Sequence, residues 1–123
     1  MEWLVKIIYA NAKIKSRCKD IKEATKFFGG NRLLALSLLS RINAIEQAKV
    51  INDIRVQKQF RFHNLKGKFD GYFAIDVKSI RDKWRIILQP LDEEFMPFNP
   101  CHIDEIAMKV QVVEVKEISA HYE

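Results

Sequence analysis

The chain has two cysteines, three prolines, four glycines and three histidines among 123 residues. Cys18 and Cys101 are far apart and form no C-x-x-C pair, which excludes a zinc ribbon and a disulfide framework as readings of the sequence. Cys101 and His102 are adjacent, but the sequence offers no obvious third and fourth ligand, so neither a metal nor another cofactor is expected. No apolar run approaches the length of a bilayer, and Met1 to Lys6 lacks a basic region followed by an apolar signal core. The expected address is the cytoplasm, with no membrane association. Internal repeats and low-complexity segments are also missing, and the length is most economically one domain, 1–123, with a single core.

What the chain does have is charge, unevenly placed. Lys and Arg exceed Asp and Glu by 19 to 8 in residues 1–90, whereas residues 91–123 carry 2 against 8. A basic body with an acidic tail favours a polyanion or an acidic protein as partner, and charge alone does not choose between them.

Trp3 to Tyr9 is rich in β-formers and short enough for a first strand. From Asn11 to Phe28 the chain turns lysine-rich, and Ile14, Cys18, Ile21, Ala24 and Phe28 recur at spacings of three and four, which predicts one basic helix with an apolar stripe. Gly29-Gly30 ends it, and Asn31 can cap a second helix, 32–48, whose core face is Ala35, Leu38, Leu39, Ile42 and Ile45. Residues 48–57 read as a short helical or irregular passage.

From Phe60 the period becomes two, so Arg61 and His63 are expected to share a strand face. Gly67 and Asp70-Gly71 mark a loop. Tyr72 to Lys78 sets Phe73, Ile75 and Val77 against Tyr72, Ala74, Asp76 and Lys78, and the next strand sets Trp84, Ile86 and Leu88 against Lys83, Arg85 and Ile87 until Pro90 ends it. Arg85 is thereby expected to point away from the helix-covered core. An acidic, proline-containing loop at 91–105 precedes a last strand at about 108–118. The order predicts an α+β domain: an N-terminal strand and a helical hairpin packed on a largely antiparallel sheet.

Histidines, lysines and arginines gathered around short strands suit RNA. Cleavage by the RNA's own 2′-hydroxyl needs a base for that proton, an acid for the departing 5′-oxygen, and positive charge beside the phosphorus in the transition state. Histidine suits the first two tasks and arginine the third, and no divalent ion is compulsory.

The order of a first strand, a helical hairpin, His63-x-Leu65-Lys66-Gly67, an aromatic strand, Trp84-Arg85-Ile86 and a terminal Ile118-Ser-Ala-His-Tyr122 resembles the RelE/ParE superfamily of toxins, closest to the HigB, or plasmid maintenance killer protein, branch. The resemblance covers most of the chain, is strongest over 60–88 and 110–122, and is absent from 91–105.

The resemblance implies a toxin of a type II toxin-antitoxin system: a metal-independent endoribonuclease, or mRNA interferase, that cuts ribosome-bound mRNA and inhibits translation. It implies a cognate HigA-like helix-turn-helix antitoxin and a toxin-antitoxin hetero-oligomer. Carried over residue by residue, it assigns His63, Lys66, Arg85, His121 and Tyr122 to catalysis. Arg85, after the tryptophan, would grip the scissile phosphate, although pairing with Asp76 on the neighbouring strand is the alternative reading of that arginine. Arg61, Lys68, Arg81 and Lys83 are the expected RNA contacts. Two departures stand out. Ala120 occupies the place of an Asp in many relatives, which would either lower activity or move that carboxylate's role to Glu123 or Glu117, and Asn64 stands for a commoner proline. A ParE-like inhibitor of DNA gyrase and a non-catalytic RNA-binding or adaptor protein are the alternatives. A solvated face is the simpler explanation of Lys15, Lys19, Lys22 and Lys26.

Overall fold

The computed structural model describes residues 3–120. A five-stranded sheet has the order β1-β5-β4-β3-β2, from Lys6–Tyr9 (β1), His63–Asn64 (β2), Phe73–Asp76 (β3), Arg85–Leu91 (β4) and Val112–Ser119 (β5). β1 runs parallel to β5 and every other pairing is antiparallel. The helices are Ala12–Lys19 (α1), Ile21–Phe27 (α2), Arg32–Gln47 (α3), Asn52–Arg55 (α4) and Ile103–Ile106 (α5). This is the expected α+β architecture.

The apolar stripe and the α3 face meet one side of the sheet. Ile14, Cys18, Ala24, Phe28, Ala35, Leu38, Ile42 and Ile45 pack with Phe73, Ile75, Ile86, Leu88, Val113 and Val115 in the main core. Removing that apolar area from water is the dominant favourable term in folding. Phe27, Phe28 and Trp84 interlock edge to face at centroid separations of 5.1–5.2 Å, pinning α2 to the start of β4.

Four local expectations need correction. The basic helix is two helices, because Asp20 adopts an extended conformation, ends α1 through its own N–H to the Ser16 carbonyl, and accepts from the Lys22 N–H with its side chain. A capping carboxylate thus stops one helix and starts the next without interrupting the stripe. Arg61 does not share a strand face with His63. It sits in the left-handed region at φ 50° after a 3₁₀ turn at Lys58–Phe60, and only His63 and Asn64 pair with β3.

Pro90 does not end β4, which runs on to Leu91 opposite Val112. β3 flanks β4 only from Arg85 to Leu88 and the next pairing on that side is the bridge from Leu91 to Pro97, so Pro90 itself has no ladder partner there and a residue without an N–H is tolerated. The last strand starts at Val112 rather than 108, because Ile103–Ile106 forms α5 and Val110 closes that helix with its N–H on the Ile106 carbonyl.

Candidate functional site

Strand alternation gives the sheet a second face, away from the helices. Ala74 and Asp76 of β3 lie there, opposite Ile87 and Arg85 of β4, which in turn oppose Glu117 and Ser119 of β5. His63 of β2 is the partner of Ala74. Leu65, Ala74 and Ile87 make a small buried cluster of their own, with Phe69 and Tyr72 packed against it. The register shifts beside Ile87 and Leu88, and the bulge leaves Lys116 as the extra residue of β5. Its ammonium pairs with Glu114 at 3.3 Å and stands 5.5 Å from the centre of the Tyr72 ring.

Asp76 holds one end of this face. Its carboxylate accepts from Arg61 Nε at 3.1 and 3.2 Å, and Arg85 Nε lies 3.2 Å from Oδ1, an ion pair by distance rather than an aligned hydrogen bond. Side-chain exposure is 1% for Arg85, 3% for Asp76 and 35% for Arg61. Arg85 Nη1 also donates to the carbonyls of Asp82 and Trp84 at 2.8 and 2.9 Å, so the guanidinium ties down the turn between β3 and β4. From α3, Arg41 donates to the carbonyls of Asp76, Lys78 and Gln59 and stacks over Phe60. Burial lowers the Arg41 pKa from its ordinary value, against the opposing pull of Asp76 and Asp82.

Arg85 therefore points away from the main core as expected, yet it is buried rather than presented to solvent. The pairing with Asp76 that the sequence offered as an alternative is the observed one. Of the two arginines on the Asp76 carboxylate, Arg61 is the one that solvent reaches.

His63 follows directly from the left-handed turn at Arg61. Its Nδ1–H donates to the Arg61 carbonyl at 2.7 Å. A carbonyl only accepts, so Nδ1 carries the proton and neutral His63 has its lone pair on Nε2. Among the described residues Nε2 is buried and has no hydrogen-bond partner. A histidine held in one tautomer by a backbone carbonyl, with the other nitrogen ready to accept, has the arrangement a general base requires.

The remaining cations are less tightly placed. Lys66 is exposed, just ahead of the 3₁₀ turn Gly67–Phe69, and Lys68 is exposed with its ammonium 5.4 Å from the Phe69 ring centre. Arg81 and Lys83 are exposed in the β3–β4 turn, which Asp82 organises by accepting from the Ser79 and Trp84 N–H groups. Glu117, half-buried, shares the face with Ile87. His121, Tyr122 and Glu123 lie outside the described residues.

Cys101 and His102 belong to no cluster of ligand-type side chains among the described residues. His102 faces Glu105 at 3.6 Å, and no group of three or more His, Cys, Asp or Glu suited to a metal occurs among the described residues. No helix among them is long and apolar enough to cross a membrane. Sequence reasoning missed Arg41, Phe69 and Tyr72 as neighbours of the site. Alternation already placed Tyr72 on the face of Ala74 and Asp76; the packing of Phe69 and the reach of Arg41 across from α3 had no local signal.

No family model and no curated protein matches the chain. A solved structure described as YafQ from E. coli strain BL21(DE3) is similar over 95% of this chain and 93% of that one, with 10% sequence identity and a TM-score of 0.49. Likeness at that level carries no information about the site.

Proposed function

We propose that this chain is a toxin of the RelE/ParE kind, a HigB-like metal-independent endoribonuclease that cuts mRNA on the ribosome and is held inactive by a HigA-like antitoxin in a cytoplasmic hetero-oligomer. The observation that carries the reading is His63: Nδ1–H is fixed on the Arg61 carbonyl, and Nε2 keeps its lone pair with no hydrogen-bond partner among the described residues, on the strand next to the one that carries Asp76 and its two guanidinium partners. The sequence motifs around His63, Leu65-Lys66-Gly67 and Trp84-Arg85-Ile86 support the same reading.

In this reading His63 Nε2 takes the 2′-hydroxyl proton, the 2′-oxygen bonds to phosphorus, and the bond to the 5′-oxygen breaks. The products are a 2′,3′-cyclic phosphate and a 5′-hydroxyl that receives a proton from an acid. The resemblance assigns that proton to His121 or Tyr122. Arg61, exposed enough to meet a phosphate, supplies positive charge at the phosphorus, and Arg85 supports it from beneath through their shared carboxylate. Lys66, Lys68, Arg81 and Lys83 hold the flanking backbone. Because Nε2 is shielded, the incoming ribose must displace the groups that cover it.

The test is 5′-end mapping of a defined mRNA in a purified translation reaction, with and without ribosomes, for wild type and His63→Gln. Ribosome-dependent cuts that fall by a factor of about 10²–10⁴ in the variant are expected for a lost general base. An intact mRNA with folded wild-type protein sinks the enzyme reading. One observation favours a second reading, RNA binding without cleavage: the arginine that the resemblance places on the phosphate is 1% exposed and already paired. Wild-type binding of mRNA with no cut ends would select it.

A further inference from the structure

We infer that Tyr72, with Phe69 beside it, is a stacking platform for a nucleobase of single-stranded RNA lying across the open face of the sheet. The inference rests on the RNA-binding part of the function proposed above. It assigns a role to residues that the cleavage chemistry does not use.

The two rings are half-buried, 6.3 Å apart between centroids and inclined at 46°. Leu65, Ala74 and Ile87 back them, in a cluster separate from the main core. An aromatic ring fixed from behind offers its other face at little further entropic cost, which a ring on a free loop does not. Each ring already attracts a cation: Lys68 stands 5.4 Å from the Phe69 centre and Lys116 5.5 Å from the Tyr72 centre. An ammonium over a ring marks an electron-rich face, and the same lysine is placed to meet the phosphate of a nucleotide whose base replaces it there.

Position supports the same ligand. Tyr72, immediately before β3, is two residues from Ala74, about 7 Å along the chain, and packs against the same cluster, and Ala74 is the partner of His63. The Leu65 N–H donates to the Tyr72 carbonyl at 3.0 Å, which fixes the tyrosine backbone beside β2. A strand of RNA with one ribose at His63 would thus bring an adjacent base towards the tyrosine, with Lys66 and Lys68 at the rim of the same loop. Stacking of this kind tolerates any base, because every base has a π-face.

The experiment is fluorescence-anisotropy titration at low salt of a labelled 2′-O-methyl oligoribonucleotide, which cannot be cut by 2′-hydroxyl attack, and of versions carrying one abasic residue at each position in turn. Wild type, Tyr72→Leu, Tyr72→Trp and Lys66→Gln are compared, with near-ultraviolet circular dichroism confirming that each is folded. Wild type is expected to lose affinity by about tenfold at one abasic position. Tyr72→Leu should lose a similar factor on the intact strand and nothing more on that abasic one, and Tyr72→Trp should retain both the affinity and the discrimination. Lys66→Gln should weaken intact and abasic strands alike, since it contacts phosphate.

A merely structural tyrosine would not move the abasic discrimination. Wild type that binds the intact strand and every abasic strand equally overturns the platform while leaving the RNA reading intact, as does Tyr72→Leu that still discriminates. Folded wild type that binds none of the strands overturns the RNA reading and the platform with it.

Discussion

At the scale of single residues, the centre of the candidate site is a charge arrangement that is costly to break. Asp76 carries one negative charge between two guanidinium groups, and both it and Arg85 are almost fully buried. Removing one partner of a buried pair leaves the other unpaired, so Asp76→Asn should lower stability by about 3–5 kcal/mol in urea unfolding. Asp76→Leu combined with Arg85→Met should recover only part of that loss, because apolar groups replace the buried ion pair at little net cost but leave the Asp82 and Trp84 carbonyls without their donor and Arg61 without its carboxylate. Arg85→Ala should likewise loosen the β3–β4 turn, whose Asp82 and Trp84 carbonyls it binds. Lost activity in that variant would therefore not distinguish a phosphate contact from a fold contact; Arg61→Gln, on a half-exposed side chain, is the cleaner probe.

Cys18 makes a second prediction at this scale. Burial pushes its thiol from the ordinary 9.0 up to about 12. Between those values the folded chain keeps the proton while the unfolded chain has lost it, so the unfolded state binds fewer protons and stability falls as pH rises. The slope contributed is at most about 1.4 kcal/mol per pH unit, and Cys18→Ala should flatten the dependence measured by denaturant unfolding across that alkaline range. A variant with an unchanged slope would show that the thiol is not the source. Tyr9, raised above its ordinary value mainly by burial and next by the neighbouring Cys18, supplies a further decline that the substitution reduces without removing.

At the scale of elements, two short signals shape the helical layer. Asp20 splits the basic stretch, and Asn31 opens α3 by accepting from the Leu34 N–H at 3.1 Å. Asp20→Ala and Asn31→Ala should each cost about 1 kcal/mol, additively, since they cap different helices. Gly30 joins the two helices at φ 93° with open space where a side chain would stand. Gly30→Ala should therefore cost only the backbone conformation, about 1–2 kcal/mol, with no clash added. Thermal unfolding of the three variants checks the ranking. The same scale explains the misread strands. Phe60 to Leu65 alternates well enough to look like a strand, but the left-handed Arg61 breaks the alternation. Pro90 looks like a terminator, yet the neighbour it would disrupt stops at the level of Leu88.

At the scale of the whole molecule, the basic excess of residues 1–90 is spread over both layers rather than collected on one surface. Lys19 is spent on Glu46 at 2.9 Å, Arg41 on backbone carbonyls and Arg85 on Asp76, whereas Lys66, Lys68, Arg81 and Lys83 are exposed in the two loops that flank β3. If those four meet phosphates, the plot of log affinity for single-stranded RNA against log salt should have a slope near −3, and each Lys→Gln should reduce it by about 0.7. A slope near zero would mean that the charge serves another partner.

The α+β class, the helical stripe and its glycine break, the two-residue period of β3 and β4 and the sidedness of Arg85 are all legible in the order of residues, because each follows from a local period or a residue with few backbone options. What those side chains meet depends on how distant segments fold together. Asp76 was legible as a neighbour of Arg85, but its capture of Arg61 as well depends on a left-handed turn 15 residues earlier in the chain. The tautomer of His63 depends on that same turn, and the position of Lys116 over Tyr72 depends on a bulge in β5 that spacing does not encode. Local propensity fixes where a strand runs and which way a residue faces; partners come from register and turn geometry, which are set by contacts between segments distant in the chain.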